Sequence, residues 1–297
     1  MLTAFSCATN DTIPELLVAL ASFRRHNPDI PVLVFHERSV DTRLIAALGV
    51  ELIPVGNCHV LLSAIDHLVR KRKDITGRAI HIAHNTLTRD ALYDFSDVDM
   101  GINPLAAQSY WAFPELTAST SLYSDADQVE EKRRQEMNTR YFSTDFMLLD
   151  IDTLRDRKLP LLTPLFVKSL AKTEEELLNG FFSDKPIINM PSDLGARVEH
   201  LIHRDLDPQD LWDTADGLRN ARVVVFTGDV KPWTVDPVLD RLFVQVPFKA
   251  FLEEVVSVEE LLPVEFVEAV ADNTVRSEHL LHQRPESDVT LDDILNT

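Results

Sequence analysis

Over the first ninety residues the chain switches repeatedly between two hydrophobic periods. Residues 2–8 (LTAFSCA) are a short, mostly apolar run of strand length. Residues 12–26 (TIPELLVALASFRRH) then place Leu16, Leu17, Leu20 and Phe23 on one helical face. Thr12 and Glu15 have the spacing of a capping box, and Pro14 falls early in the helix, where its missing N–H costs little. A second continuous apolar run, 30–36 (IPVLVFH), has the character of a central parallel strand. A helix over 39–48, a strand over 50–56, a helix over 60–74 with a basic end and a strand over 79–84 follow. This β-α-β-α-β order predicts an α/β fold: a mostly parallel sheet, helices on its faces and right-handed crossovers.

Further along, the pattern predicts a short helix over 88–95, a strand over 100–108 and a charged excursion over 124–140. A strand over 146–149 running into a helix comes next, then a long helix over 163–182. A strand over 221–227 ends in a glycine-containing turn, and two helices over 246–256 and 257–272 close the domain. The last of these has its own capping box in Ser257 and Glu260. No internal repeat or linker interrupts residues 1–273, which read as one domain. Residues 274–297 are polar and acidic and read as a loosely held tail. Within that tail, 289–295 (VTLDDIL) is a candidate helix for a protein partner.

Charge narrows the partners. A net charge of −19 repels phosphate backbones and anionic lipid, so nucleic acid and bare membrane surfaces are poor partners. A local basic cluster can still hold one small anionic ligand. The two cysteines, Cys7 and Cys58, have no metal-type spacing and suit a reducing, cytoplasmic setting. The first residues have neither a basic segment nor a long apolar core, so no signal peptide is expected. No apolar run approaches the ~20 residues of a membrane span.

Candidate chemistry gathers where the fourth strand ends. The apolar run Ala79–Ala83 stops at His84, Asn85 and Thr86. In an open α/β sheet, the carboxyl end of a central strand is where ligands and metals sit. Here the turn offers a histidine and an amide but no carboxylate.

Four stretches, in order, resemble glycosyltransferase family 8, GT-A fold enzymes that use nucleotide-sugar donors. The opening FSCATNDTIPELLVALASFRRHNPDIPVLVF is similar to the family's strand-helix-strand with an Asn at the first turn. RAIHIAHNTL stands where the family has an apolar strand running into Asp-x-Asp. YFSTDFMLLDIDTLR resembles its Tyr-Phe-Asn-x-Gly strand. DKPIIN and VFTGDVKPW resemble its Asp-Gln-Asp-x-x-Asn and His-x-x-Gly-x-x-Lys-Pro-Trp segments. Together these span roughly residues 1–255, and TGDVKPW is the most specific.

The resemblance implies roles residue by residue. Asn10 matches a position that contacts the nucleotide base. Gly228 lets backbone approach a phosphate, and Lys231 supplies a point charge. Asp184 and Asn189 match the acceptor-side motif. The departures are equally specific. Asp-x-Asp becomes Ala83, His84 and Asn85, and the metal-binding histidine becomes Val225. The glutamine beneath the anomeric carbon becomes Lys185, with Pro186 in place of an Asp. Asp11 replaces an aromatic, and Ser143 and Asp145 replace the Asn and Gly of the later strand. Hard divalent cations want carboxylate oxygens, and Ala83, Asn85 and Val225 do not provide them.

Other residues compete for attention. Asp125 with Asp127, and Asp97 with Asp99, spell Asp-x-Asp, but they read as a solvated helix start and a loop. His84 reads as a surface-turn histidine, with a transition-metal or phosphate contact as the alternative, His81 points inward, and His200 and His203 have no third ligand spaced for zinc. Ser143 and Thr144 have no histidine neighbour of nucleophile type. Arg70 to Lys73 suit a solvated helix end and, functionally, a diphosphate.

Two functions of different class follow. In the first, the chain transfers a sugar from a nucleotide-sugar such as a UDP-hexose to an unknown acceptor, without the usual divalent metal. Lys231, Lys185 and Arg70 stabilise the diphosphate, while Asp184 and Asn189 orient the acceptor. The resemblance implies retention of anomeric configuration. In the second, the fold persists as a catalytically inactive binding or regulatory module.

Overall fold

A computed structural model describes residues 2–56, 59–109, 142–158, 160–169, 171, 173–182, 187–191, 193–198, 218–227, 231–234 and 245–282. The chain divides into two compact units, Met1–Ala196 with Ala221–Val225, and Arg197–Asn220 with Phe226–Thr297.

The first unit is built on a seven-stranded sheet. Strand β1 (Leu2–Ala8) leads through a 3-10 turn at Asn10–Thr12 into helix α1 (Ile13–His26). β2 (Val32–Glu37), the single-turn helix α2 (Arg43–Ala46), β3 (Glu51–Val55), α3 (Val60–Arg70) and β4 (Arg78–Ile82) complete the alternating half. Then come β5 (Thr86–Thr88), β6 (Leu105–Ser109), β7 (Phe142–Asp150), α4 (Ile151–Asp156), α5 (Leu162–Lys168), α6 (Glu174–Phe182), β8 (Ile188–Asn189), β9 (Leu194–Arg197) and β10 (Val223–Val225). The large sheet is ordered β3-β2-β1-β4-β7-β6-β8, and β5-β10-β9 form a second, small sheet. In the large sheet β7 runs against both neighbours, and the other pairings are parallel. The expected α/β class and mostly parallel sheet are present.

The central strands are apolar on both sides because helices cover both faces. Phe5 pairs in register with Leu33 of β2 and His81 of β4, and packs edge-on against Phe35 with ring centroids 6.2 Å apart. Leu62, Ile65 and Leu68 of α3 close over Phe5 and Phe35 from one face, and α1 buries Leu16, Leu17, Leu20 and Phe23. Burial of each such side chain is worth about 1.5–3 kcal/mol.

Several local expectations are corrected. The helix over 88–95 is absent. Thr86–Thr88 instead pair antiparallel with Val223–Val225, and only a 3-10 turn, Tyr93–Ser96, follows. β-branched threonines beside a valine run favour this long-range pairing over a local helix. The helix over 163–182 is broken into α5 and α6. Ser169 is extended, and Thr173 opens α6 with a reciprocal box: Glu176 N–H donates to Thr173 Oγ1, and Thr173 N–H to Glu176 Oε2. The Thr12–Glu15 box does not form either, because the Thr12 hydroxyl turns back to Thr9. β7 is longer than residues 146–149: it starts at Phe142, which pairs with Ser109 of β6, and ends at Asp150, which pairs with Arg78 of β4.

In the second unit, α7 (Gln245–Ser257) is followed by a 3-10 turn, Glu259–Leu261, and by α8 (Val264–His282). Ser257 ends α7 by donating to the Glu254 carbonyl, so it does not cap the next helix, which starts after Pro263. α8 runs past residue 274 to His282. Thr274 and Ser277 are buried there, their hydroxyls bonded to the Val270 and Thr274 carbonyls of the same helix. Residues 283–297, including the candidate partner helix, lie outside the described residues. Among the described residues, no helix is long and apolar enough to cross a membrane.

Candidate functional site

Because β1, β2, β3 and β4 are mutually parallel, their carboxyl ends form one edge. β7 is antiparallel to β4, so its first residues come to that same edge. Phe146 pairs with Ile82, and the Ala83 N–H donates to the Asp145 carbonyl at 2.9 Å. The turn after β4 therefore stands directly beside Ser143–Asp145.

Asn85 is 5% exposed, and its Nδ2 donates to Asp145 Oδ1 at 3.2 Å. The Ser143 hydroxyl donates to the other carboxylate oxygen, Oδ2, at 2.8 Å. Asp145 is half-buried, so this edge carries a carboxylate held by an amide and a hydroxyl. Asp145 thus brings an acid to the end of β4 from the neighbouring strand, beside Ala83, where the sequence resemblance expects an acid. The sequence showed Asp145 only as a lost glycine; the cross-strand register shows where it lies.

Behind this pair sits His81. It is 4% exposed, stacks against Phe5 at a 4.9 Å centroid distance and donates from Nδ1 to the Thr144 carbonyl. Burial is the main reason its pKa is lowered, to about 4, with nearby His84 adding to the effect and Asp145 opposing it. It is a structural, neutral imidazole, as its inward position predicted. Thr144 is pinned from the far side, since its N–H and hydroxyl both donate to Glu175 Oε2 at 3.0 Å. Asn179, one helical turn on, accepts the Phe142 N–H at 2.7 Å and returns a bond to the Phe142 carbonyl at 2.9 Å. Two side chains of α6 thereby act as a further strand along β7 and fix the segment that presents Asp145.

Asn10 lies on the same edge, just beyond β1. It is exposed, and its Nδ2 donates to Ser39 Oγ, beyond β2, at 3.2 Å. Nearby on β1, the Cys7 thiol is pushed well up by burial, with a smaller contribution from Glu174. Glu174 caps the start of α3 by accepting the Leu62 N–H at 2.9 Å. Burial raises its pKa against the pull of the amides and of His59. His59 precedes α3 in a left-handed conformation (φ 58°) and packs on Phe166 with ring centroids 4.1 Å apart. Sequence reasoning missed this group because its members come from segments more than a hundred residues apart.

The remaining expected residues are distributed as follows. Asn189 pairs in parallel with Ala107 of β6, on the backbone of β8. Arg70 is exposed at the last turn of α3, next to the Arg72 segment. The Arg72 guanidinium reaches Glu51, at the amino end of β3, at 2.7 Å. The structure therefore keeps Arg70 away from Asn10 and Asp145, because α3 returns antiparallel to the strands. Asp97 and Asp99 are exposed loop acids engaged with Ser96 and the Gly101 N–H, as their loop reading predicted. Asp125, Asp127, Asp184, Lys185, Pro186, His200, His203 and Gly228 lie outside the described residues.

In the second unit, Lys231 is half-buried and begins a β-turn. The Thr234 N–H donates to the Lys231 carbonyl at 3.1 Å, with Pro232 at the second position, where its fixed φ suits the turn. Trp233 points into an aromatic core, 4.9 Å from Phe251, 5.8 Å from Phe226 and 6.2 Å from Phe266. Pro232 and Trp233 therefore have structural duties, and Lys231 is left with its charge.

The residues that the sequence resemblance sets at metal positions do not fit a divalent cation. Ala83 offers no ligand atom, Asn85 directs its amide nitrogen at Asp145, and Val225 is an apolar strand residue 2% exposed. Among the described residues, no three His, Cys, Asp or Glu side chains cluster to hold a metal.

Comparison with protein families and with curated proteins finds no match. Solved structures do match. The galactosyltransferase LgtC in complex with donor and acceptor sugar analogues is 18% identical, with 91% of this chain and 100% of that one covered and a TM-score of 0.62. The bifunctional glycosyltransferase WbbM is 12% identical over 92% of this chain and 52% of its own, with a TM-score of 0.66. GlyE of Streptococcus pneumoniae TIGR4 is 14% identical over 91% of this chain and 64% of its own, with a TM-score of 0.55. At these identities the likeness establishes the fold: the chain has the GT-A-like α/β fold of these glycosyltransferases.

Proposed function

We propose that the chain is a glycosyltransferase-like protein that binds a nucleotide-sugar and transfers the sugar to an acceptor without the divalent metal site of family 8. The reading rests on one combination: a GT-A-like fold whose family metal positions carry Ala83, Asn85 and Val225, with a lysine kept in the Lys-Pro-Trp turn.

Cleaving an anomeric carbon–oxygen bond leaves negative charge on the diphosphate, and the site must neutralise it. Lys231 is assigned that role, with Lys185 as a second cation. A fixed ammonium in a water-poor site interacts far more strongly than the same charge in water. Asn10 is assigned to the base, and Asp184 and Asn189 to the acceptor. Arg70 is left out because it stands at the opposite edge of the sheet from Asn10.

One observation favours the second reading, a binding module without turnover. The edge where β4 ends is closed upon itself by the Asn85–Asp145–Ser143 bonds, and a carboxylate there repels a bare diphosphate. Release of UDP from UDP-glucose or UDP-galactose, followed in EDTA with candidate sugar acceptors, separates the two. Turnover that falls at least tenfold in Lys185→Ala supports the transferase. Binding of UDP-sugar with no release of UDP under any condition assigns the module.

A further inference from the structure

We infer that Asn273 is a positioning residue for Lys231. The family resemblance ends near residue 255, and Asn273 lies beyond it, at the middle of α8 in a stretch whose sequence (VADNTV) carries no motif. Its side chain is 4% exposed. Both of its Nδ2 bonds go to the Lys-Pro-Trp turn, one to the Pro232 carbonyl at 2.8 Å and one to the Thr234 carbonyl at 2.9 Å.

The turn is thereby fixed from three directions. The Thr234 N–H closes it internally on the Lys231 carbonyl. Trp233 anchors it in the Phe226–Phe251–Phe266 cluster. Asn273 holds two further carbonyls of the turn, those of Pro232 and Thr234. A primary amide with two N–H groups suits two carbonyls facing one side chain, and aspartate, leucine or serine cannot supply both donors. An asparagine in the interior of a helix is otherwise a poor choice, because its propensity is low and its burial is costly without bonds. The pattern is that of a side chain retained to set a loop. The residue directly ahead of the clamped carbonyls is Lys231, so holding them fixes its backbone and the direction in which its side chain leaves the turn.

This inference rests on the assignment of Lys231 to the diphosphate, and the test separates the two. UDP is titrated calorimetrically into the full chain carrying Asn273→Leu, Lys231→Ala or both, with melting temperatures confirming folding. Asn273→Leu keeps the volume and removes the donors. It is expected to weaken UDP binding about tenfold, the scale of one to two lost hydrogen bonds. In the Lys231→Ala background the same change is expected to alter binding less than twofold, because its effect passes through the lysine. Asn273→Gln keeps both donors one methylene further out and is expected to restore most of the affinity; it also serves if the leucine variant does not fold, with the same non-additivity expected of its smaller loss. Wild-type affinity in folded Asn273→Leu, or losses that multiply in the double variant, overturn the positioning role. A wild-type chain that does not bind UDP overturns the functional reading itself, and this inference with it.

Discussion

Asn85 and Asp145 are sixty residues apart in sequence and 3.2 Å apart in space, amide to carboxylate, at the carboxyl end of β4. The pair joins two departures from the family pattern that look unrelated in sequence. Where the resemblance expects a carboxylate motif after β4, a carboxylate stands on β7 instead and is gripped by Asn85.

This pair is expected to be energetically coupled. Truncating Asp145 to alanine removes the acceptors for Asn85 and Ser143 and should destabilise the fold by about 2 kcal/mol. In a double-mutant cycle with Asn85→Ala, urea unfolding should give a coupling of about 1 kcal/mol. Strictly additive losses would show that the contact contributes nothing.

His81 makes stability depend on pH. Its folded-state pKa of about 4 lies below the unfolded value of 6.5, so below pH 6.5 the unfolded chain binds the extra proton first. The contribution is complete above pH 6.5 and is lost as pH falls towards 4, a total of about 3 kcal/mol. Glu174, whose folded pKa is raised, works in the opposite sense: its contribution is present below its unfolded value and is lost as pH rises. The comparison to make is therefore between wild type and His81→Phe. The variant should show a flatter stability profile between pH 6.5 and 4, and an unchanged slope would contradict the assignment.

Asn179 ties α6 to β7. Asn179→Ala leaves the Phe142 N–H and C=O without their side-chain partner, an expected cost of about 3 kcal/mol. Hydrogen exchange should show the Phe142 amide losing protection while Phe5 and Val34 of the central strands keep theirs. A uniform change across the sheet would argue against a local tether.

The alternating half of the fold was legible because its strands are continuous apolar runs and its helices are long enough to show a period. Thr86–Thr88 was not, because its partner, Val223–Val225, is more than 130 residues away and three residues carry no period. The break between α5 and α6 left a local signal, Thr173 followed by Glu176, within an otherwise helical pattern. At the site, the missing acids were visible as letters, and so was Asp145. Their adjacency was not, since it depends on the register that sets Ile82 against Phe146. Asn273 was hidden for another reason: its meaning lies in two backbone carbonyls some forty residues upstream, which no side-chain pattern reports.

Nucleotide binding with the divalent ions removed tests the central claim most directly. UDP titrated into the full chain in EDTA should bind as tightly as in Mn²⁺, and Lys231→Ala should bind at least tenfold more weakly, the scale of a charged hydrogen bond. Binding that appears only when Mn²⁺ is added, or that survives loss of the lysine unchanged, would contradict a lysine-based site.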